Sequence, residues 1–213
     1  MIWPDDLDTV FLEKFTQLIS RYAKKNYRFA IICGGGKIAR VFQQIAPQPG
    51  KLSNDELDWL GIHATKINSH IVRSMFGDEA EDFIVEDPTK KLKMKKRIVI
   101  GSGWKPGWST DYDAILLAKN FGAREVINMS NIDYVFDKDP KKHPGAKKIE
   151  KISWHDYSRL ISQKWKAGLN APFDPVASKA AQKYGMRANI IGKNLKNLQN
   201  LLDGRKFRGT IIG

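Results

Sequence analysis

Four stretches of the chain carry residue types suited to gripping anions. Gly34-Gly35-Gly36 follows the apolar run Phe29-Ala30-Ile31-Ile32-Cys33 and opens a helical pattern. Glycines let a backbone approach a phosphate closely, and a helix N-terminus offers unpaired N–H donors and a positive dipole. Arg40 lies one helical turn beyond Gly36, within reach of the same anion. A tight strand-to-helix turn with a surface arginine explains these residues equally well, since the run is neither a Walker loop nor a dinucleotide fingerprint. The second stretch, Trp104-Lys105-Pro106-Gly107-Trp108-Ser109-Thr110-Asp111, joins a cation and two hydroxyls in a turn before another helix. Ser109, Thr110 or Asp111 there is also a natural helix cap. The third, Ser130-Asn131-Ile132-Asp133-Tyr134-Val135-Phe136-Asp137-Lys138-Asp139-Pro140, reads as a nucleotide-binding loop or as an ordinary Asp-Pro turn. In the fourth, Asp174 and Lys179 place a carboxylate and an ammonium at a helix start, where the alternative is a cap and an exposed lysine.

The elements that must hold these loops follow from periodicity. Leu7, Val10, Phe11, Phe15, Leu18, Ile19 and Tyr22 recur at three- and four-residue spacing, which marks an amphipathic helix over 7–25. Strands are expected over 28–33, 82–85, 97–101, 125–129, 187–191 and 209–212. Helices are expected over 37–45, 57–76, 111–121, 174–184 and 194–202, with Pro47, Pro49, Gly122 and Gly185 as stops. Strand and helix alternate, which predicts an α/β architecture: a mainly parallel central sheet with helices on both faces, three layers in all. Ligands in such sheets bind beyond the carboxyl ends of the strands, where the loops above fall.

Length and composition bound the rest. The 213 residues suit one domain, 1–213, with no linker or repeat to divide it. The single cysteine, Cys33, sits in an apolar run without a cationic neighbour, which points to a buried, reduced thiol and a cytoplasmic protein. No stretch approaches the ~20 apolar residues of a membrane helix. Lys and Arg number 36 against 23 Asp and Glu, a net charge of +13. Apart from clusters at 90–97 and 138–151 the positive residues are scattered. They read as a solvated surface and a field that gathers nucleotide anions rather than as a nucleic-acid interface.

Taken together and in this order, the motifs resemble the archaeal-type uridylate kinases of the amino acid kinase superfamily. The resemblance is carried by Gly34-Gly35-Gly36-Lys37-Ile38-Ala39-Arg40, by the run from Asp58 to Asn68 and by Lys105 to Asp111. It continues through Asn131-Ile132-Asp133, Asp137 to Pro140, Phe173 to Lys179 and Gly209-Thr210-Ile211-Ile212. It implies the amino acid kinase fold and transfer of the ATP γ-phosphoryl group, with Mg2+, to UMP. Gly35, Asp58 and the loop Trp104, Lys105, Pro106, Gly107, Trp108, Ser109 and Thr110 match positions that hold UMP. Gly36, Arg40, Ser130, Asn131, Phe136 and Asp139 match positions that bind ATP. Asp174 matches the carboxylate that orders the cationic groups of the active site, and Lys179 a lysine that offsets charge on the phosphoryl group in transfer. No residue is assigned to a resident metal. The family likeness also implies a homohexamer built from dimers.

Three departures stand out. Tyr134 replaces a usual glycine, and Phe136 a common tyrosine, keeping a stacking surface without the hydroxyl. Family members also begin with an apolar strand and a glycine-containing turn that grips the donor phosphates, whereas Met1-Ile2-Trp3-Pro4-Asp5 falls just after that place. This leads us to expect a gene product beginning upstream, and weak ATP binding without it. The competing readings are a non-catalytic nucleotide-binding or storage relative, and a kinase of the same fold with another phosphate or carboxylate acceptor. Isopentenyl phosphate kinases, one such group, carry a His where this chain has Arg40.

Overall fold

The structure, a computed structural model, describes residues 8–45, 52–162, 164–166, 169 and 171–213. The expectation about the chain's start falls on residues outside these. Helix α1 (Thr9–Ala23) is capped by Asp8, whose carboxylate accepts from Phe11 N at 2.9 Å. Its buried stripe runs through Leu12, Thr16, Ile19 and Ala23, so Val10, read above as part of the apolar face, points to solvent. Strand β1 (Phe29–Ile32) leads through the glycine turn into α2 (Gly36–Ile45). The long α3 (Asn54–Phe76) starts three residues earlier than its apolar pattern suggests. Ser53 and Glu56 form a capping box there, each bonding the other's backbone N–H.

A single 3-10 turn at 77–79 then feeds β2 (Ala80–Val85), and β3 (Ile98–Gly101) follows. Next come α4 (Thr110–Asn120), β4 (Glu125–Met129) and the short strands β5 (Val135–Phe136), β6 (Lys148–Ile149) and β7 (Lys151–Ile152). The chain closes with α5 (Trp154–Leu160), α6 (Pro175–Lys183), β8 (Arg187–Ile191), α7 (Leu195–Leu202) and β9 (Thr210–Ile212).

The described strands fall into two main sheets rather than one. The first is parallel throughout, in the order β1-β3-β2. In the second, β4-β8-β9-β7, β4 runs parallel to β8 and β7 to β9, while β8 and β9 are antiparallel. Helix α4 packs on both β1 and β4. On the other side, α1 joins Ile98 and Ile100 of β3 and Ile191 of β8 in one apolar cluster. Parallel strands covered on both faces are apolar along their whole length, and β3 is buried at every residue. β5 and β6 form a separate antiparallel pair inside the polar stretch that follows β4.

Candidate active site

The glycine turn is shaped by packing as much as by ligand access. A Cβ on Gly35 would lie 2.5 Å from Ala39 Cβ and 3.2 Å from Gly61 O, so α2 could not seat against α3 with a larger residue there. Gly36 adopts φ 63°, a left-handed conformation that glycine takes without strain. Asn68 Nδ2 of α3 donates to Gly34 O at 2.7 Å. A Cβ on Gly34 would sit 3.8 Å from Thr110 Oγ1, so the glycine turn and the start of α4 are neighbours. Arg40 is exposed on α2.

The loop between β3 and α4 is gripped by three aspartates from three different helices. Asp58 of α3, 7% exposed, accepts Gly107 N at 2.9 Å through Oδ2. Asp113 of α4, 1% exposed, accepts Trp104 N at 3.2 Å and Trp108 Nε1 at 2.9 Å. Asp174, the N-cap of α6, takes both Ser109 N and Ser109 Oγ at 2.8 Å on Oδ2. Its other oxygen caps the helix, accepting from Val176 N and Ala177 N. Gly107, at φ 108°, supplies the turn that aims its own N–H at Asp58. Lys105 Nζ lies 4.2 Å from the centre of the Trp104 ring and 5.3 Å from that of Trp108.

Ser109 is the N-cap of α4, its hydroxyl accepting from Asp111 N at 3.1 Å. Of the three candidate caps in the sequence, the first is therefore used. Asp111 is left to accept Asp174 N at 3.0 Å and Asn128 Nδ2 of β4 at 3.0 Å. Two carboxylates thus stand side by side at the carboxyl edge of the strands. Burial, then the Asp174 charge, pushes Asp111 up to about 7. Burial, helped by the Asp174 charge, outweighs the donors around Asp113 and raises it to about 7, and burial also raises Asp174.

These shifts set a pH dependence of stability. All three groups hold protons more tightly folded than unfolded, so the folded state binds more protons between about pH 4 and about pH 7. Their contribution is complete below the unfolded value and declines as pH rises through that window. Melting temperature should fall as pH is raised across it, and Asp113→Asn should flatten the slope. A melting temperature that climbs through the window, unaltered by that substitution, would contradict the burial of these carboxylates.

The remaining expected residues divide. Ser130 follows β4, bonding Ile191 O through its N–H at 2.9 Å, with Asn131 exposed beside it. Phe136 is half-buried in β5, opposite Lys148. Asp139 accepts Lys141 N at 3.0 Å, which is the Asp-Pro turn geometry. Among the described residues no hydrogen bond joins these four side chains to Asp58 or Asp174. Lys179 is exposed on α6 and lines a crevice with Trp154, Ser158, Pro175 and Gln182 of α5 and α6, and no ion pair links it to Asp174 among the described residues. Two residues that the sequence did not single out enter the site, Asp113 and Trp165, whose Nε1 donates to Asp58 Oδ2 at 3.0 Å, and Asp111, read there only as a possible cap, joins them.

The model of the amino acid kinase family matches residues 4–192. The chain belongs to the amino acid kinase family. Its relatives include the uridylate kinase of Pyrococcus abyssi, 33% identical over 216 residues that cover 98% of this chain and 93% of the relative. The uridylate kinase of Thermococcus sibiricus is 32% identical over 215 residues with the same coverage. The crystal structure of uridylate kinase from Archaeoglobus fulgidus superposes with a TM-score of 0.81 at 26% identity, covering 97% of this chain and 94% of that one. UMP kinase from Bacillus anthracis, at 20% identity and a TM-score of 0.76, shares the fold. The amino acid kinase fold therefore stands, as the motif resemblance implies.

Proposed function

We propose that this chain transfers the γ-phosphoryl group of ATP to UMP, giving UDP and ADP. A UMP phosphate oxygen forms the new bond to the γ-phosphorus while the bond from that phosphorus to the β-bridging oxygen breaks, in line. The observation that carries this reading is the meeting of Asp58, Ser109 and Asp174 on one loop beside the glycine turn. The uridylate kinase relatives, alike over nearly the whole chain, supply the substrate class.

In this reading Gly35, Asp58 and the loop from Trp104 to Thr110 hold UMP, with Asp58 accepting from ribose hydroxyls. Gly36, Arg40, Ser130, Asn131, Phe136 and Asp139 attend ATP. Asp174 orders the cationic groups around the transferring phosphoryl group, and the Lys179 side chain swings from the α6 surface to offset its charge. Phosphoryl transfer needs little covalent chemistry from the protein, so catalysis rests on positioning and electrostatics. The described residues contain no group of three His, Cys, Asp or Glu side chains fit to hold a metal. Mg2+ would come in on the ATP phosphates and neutralise charge there. No described helix is long and apolar enough to cross a membrane. The lone Cys33 in its apolar run supports a cytoplasmic protein, and the family likeness supports a homohexamer.

A coupled assay across the four nucleoside monophosphates tests the reading. UMP should give the highest kcat/KM with Mg-ATP as donor. Equal or better turnover of CMP, AMP or GMP would remove the specificity, and no turnover of any would favour a non-catalytic nucleotide binder.

A further inference from the structure

Asp113 serves the loop between β3 and α4. Its carboxylate is 1% exposed, and among the described residues no ion pair offsets its charge. A buried carboxylate without a cation costs stability, and an apolar residue of similar volume normally serves a core better. Both donors to it, Trp104 N and Trp108 Nε1, belong to the loop between β3 and α4. That loop is pinned at its two ends by one side chain. The two indoles stand 5.7 Å apart at 50°, with the Lys105 ammonium against both ring faces. Trp108 also meets Tyr112 edge-on at 4.8 Å, which fixes the indole from the helix side. An ammonium lodged on two indoles loses much of its freedom, since each ring face attracts it.

We propose that Asp113 is a positioning residue for the acceptor, setting Trp104 and Trp108 so that Lys105 is presented at a fixed place above the acceptor loop. The proposal rests on the reading of that loop as the UMP site. Lys105 then meets the acceptor phosphate without first having to be ordered, a saving felt in UMP binding and hardly at all in ATP binding.

The test is steady-state kinetics of Asp113→Asn and Trp108→Phe, with melting temperatures alongside. Asparagine removes the charge and leaves one acceptor for two donors, whereas phenylalanine removes the indole N–H and leaves Lys105 and Tyr112 a smaller ring to meet. Asp113→Asn should raise the UMP KM about tenfold, as expected for losing a charged hydrogen-bond acceptor. The ATP KM and kcat should stay within about threefold, a range too small to reflect a displaced reacting group. Trp108→Phe should reproduce the UMP effect in part, and the double variant should fall short of the product of the two, as for coupled neighbours. Unchanged UMP KM in both variants would overturn the proposal. So would equal rises in both KM values with a fall in melting temperature, which is the mark of a merely structural role. If Asp113→Asn does not fold, Trp108→Phe decides alone. If the wild type does not phosphorylate UMP, the proposed reaction fails, and the hold of Asp113 on the two indoles is read separately. Acrylamide should then quench the indole fluorescence of Asp113→Asn more than that of the wild type, and equal quenching would overturn it.

Discussion

Asp174→Asn should lower kcat by about a hundredfold to a thousandfold, the range seen when a preorganised polar group is lost from a transition-state site. The fold should survive, because asparagine caps helices as well as aspartate does. Its Oδ1 can keep the bonds from Val176 N and Ala177 N that start α6. The other oxygen is where the damage falls. Oδ2 accepts both Ser109 N and Ser109 Oγ, and an amide NH2 in its place would face the backbone donor with another donor. The substitution also deletes the charge beside Asp111, which should then ionise more readily, since repulsion from Asp174 helps hold it protonated. The chemistry and the acceptor loop are thus disturbed together while the helix keeps its cap. Lys179→Ala is the companion. Its side chain is exposed, so lost turnover at unchanged melting temperature would assign it to the phosphoryl group. Wild-type turnover in Asp174→Asn would return Asp174 to the role of a helix cap, and the same result in Lys179→Ala would leave an exposed lysine.

The regular elements were legible where one force dominates. Strands 125–129 and 187–191 lie where the apolar runs place them, and Gly122 and Gly185 take the left-handed conformations expected of helix stops, at φ 69° and 61°. Short elements were not. α5 spans seven residues, too few for a helical period to show, although Trp154 and Tyr157 on it are buried. β5, β6 and β7 are two residues each and owe their existence to pairing partners elsewhere in the chain. The site divides the same way. Ser109 and Asp113 stand four residues apart, so a common helix face was available to a reader of the sequence. Nothing local joins Asp58 to Gly107, 49 positions on, or to Trp165, 107 positions on. Trp165 sits between Lys164 and Lys166 in a polar stretch, and only the fold turns its indole N–H toward a carboxylate.

Asp58→Ala should weaken UMP binding while leaving ATP affinity nearly unchanged. The carboxylate is 7% exposed and already serves two donors through one oxygen, Gly107 N at 2.9 Å and Trp165 Nε1 at 3.0 Å. In the proposed reading this carboxylate also receives a ribose hydroxyl of UMP. Losing one charged hydrogen-bonded contact costs about 1.5–3 kcal/mol, or roughly tenfold to a hundredfold in dissociation constant. The alanine also strips a partner from two donors that border the site, which pushes the expected loss toward the upper end of that range. Asp58→Asn separates the two contributions, because its carbonyl can still serve one donor while the charge is gone. Its UMP affinity should fall between those of the wild type and Asp58→Ala. Isothermal calorimetry with UMP and then with ATP reads both effects directly. Unchanged UMP affinity in Asp58→Ala would place the residue outside the acceptor site and reduce it to an anchor for the loop. A matching loss for both nucleotides would make it a support of the whole fold instead.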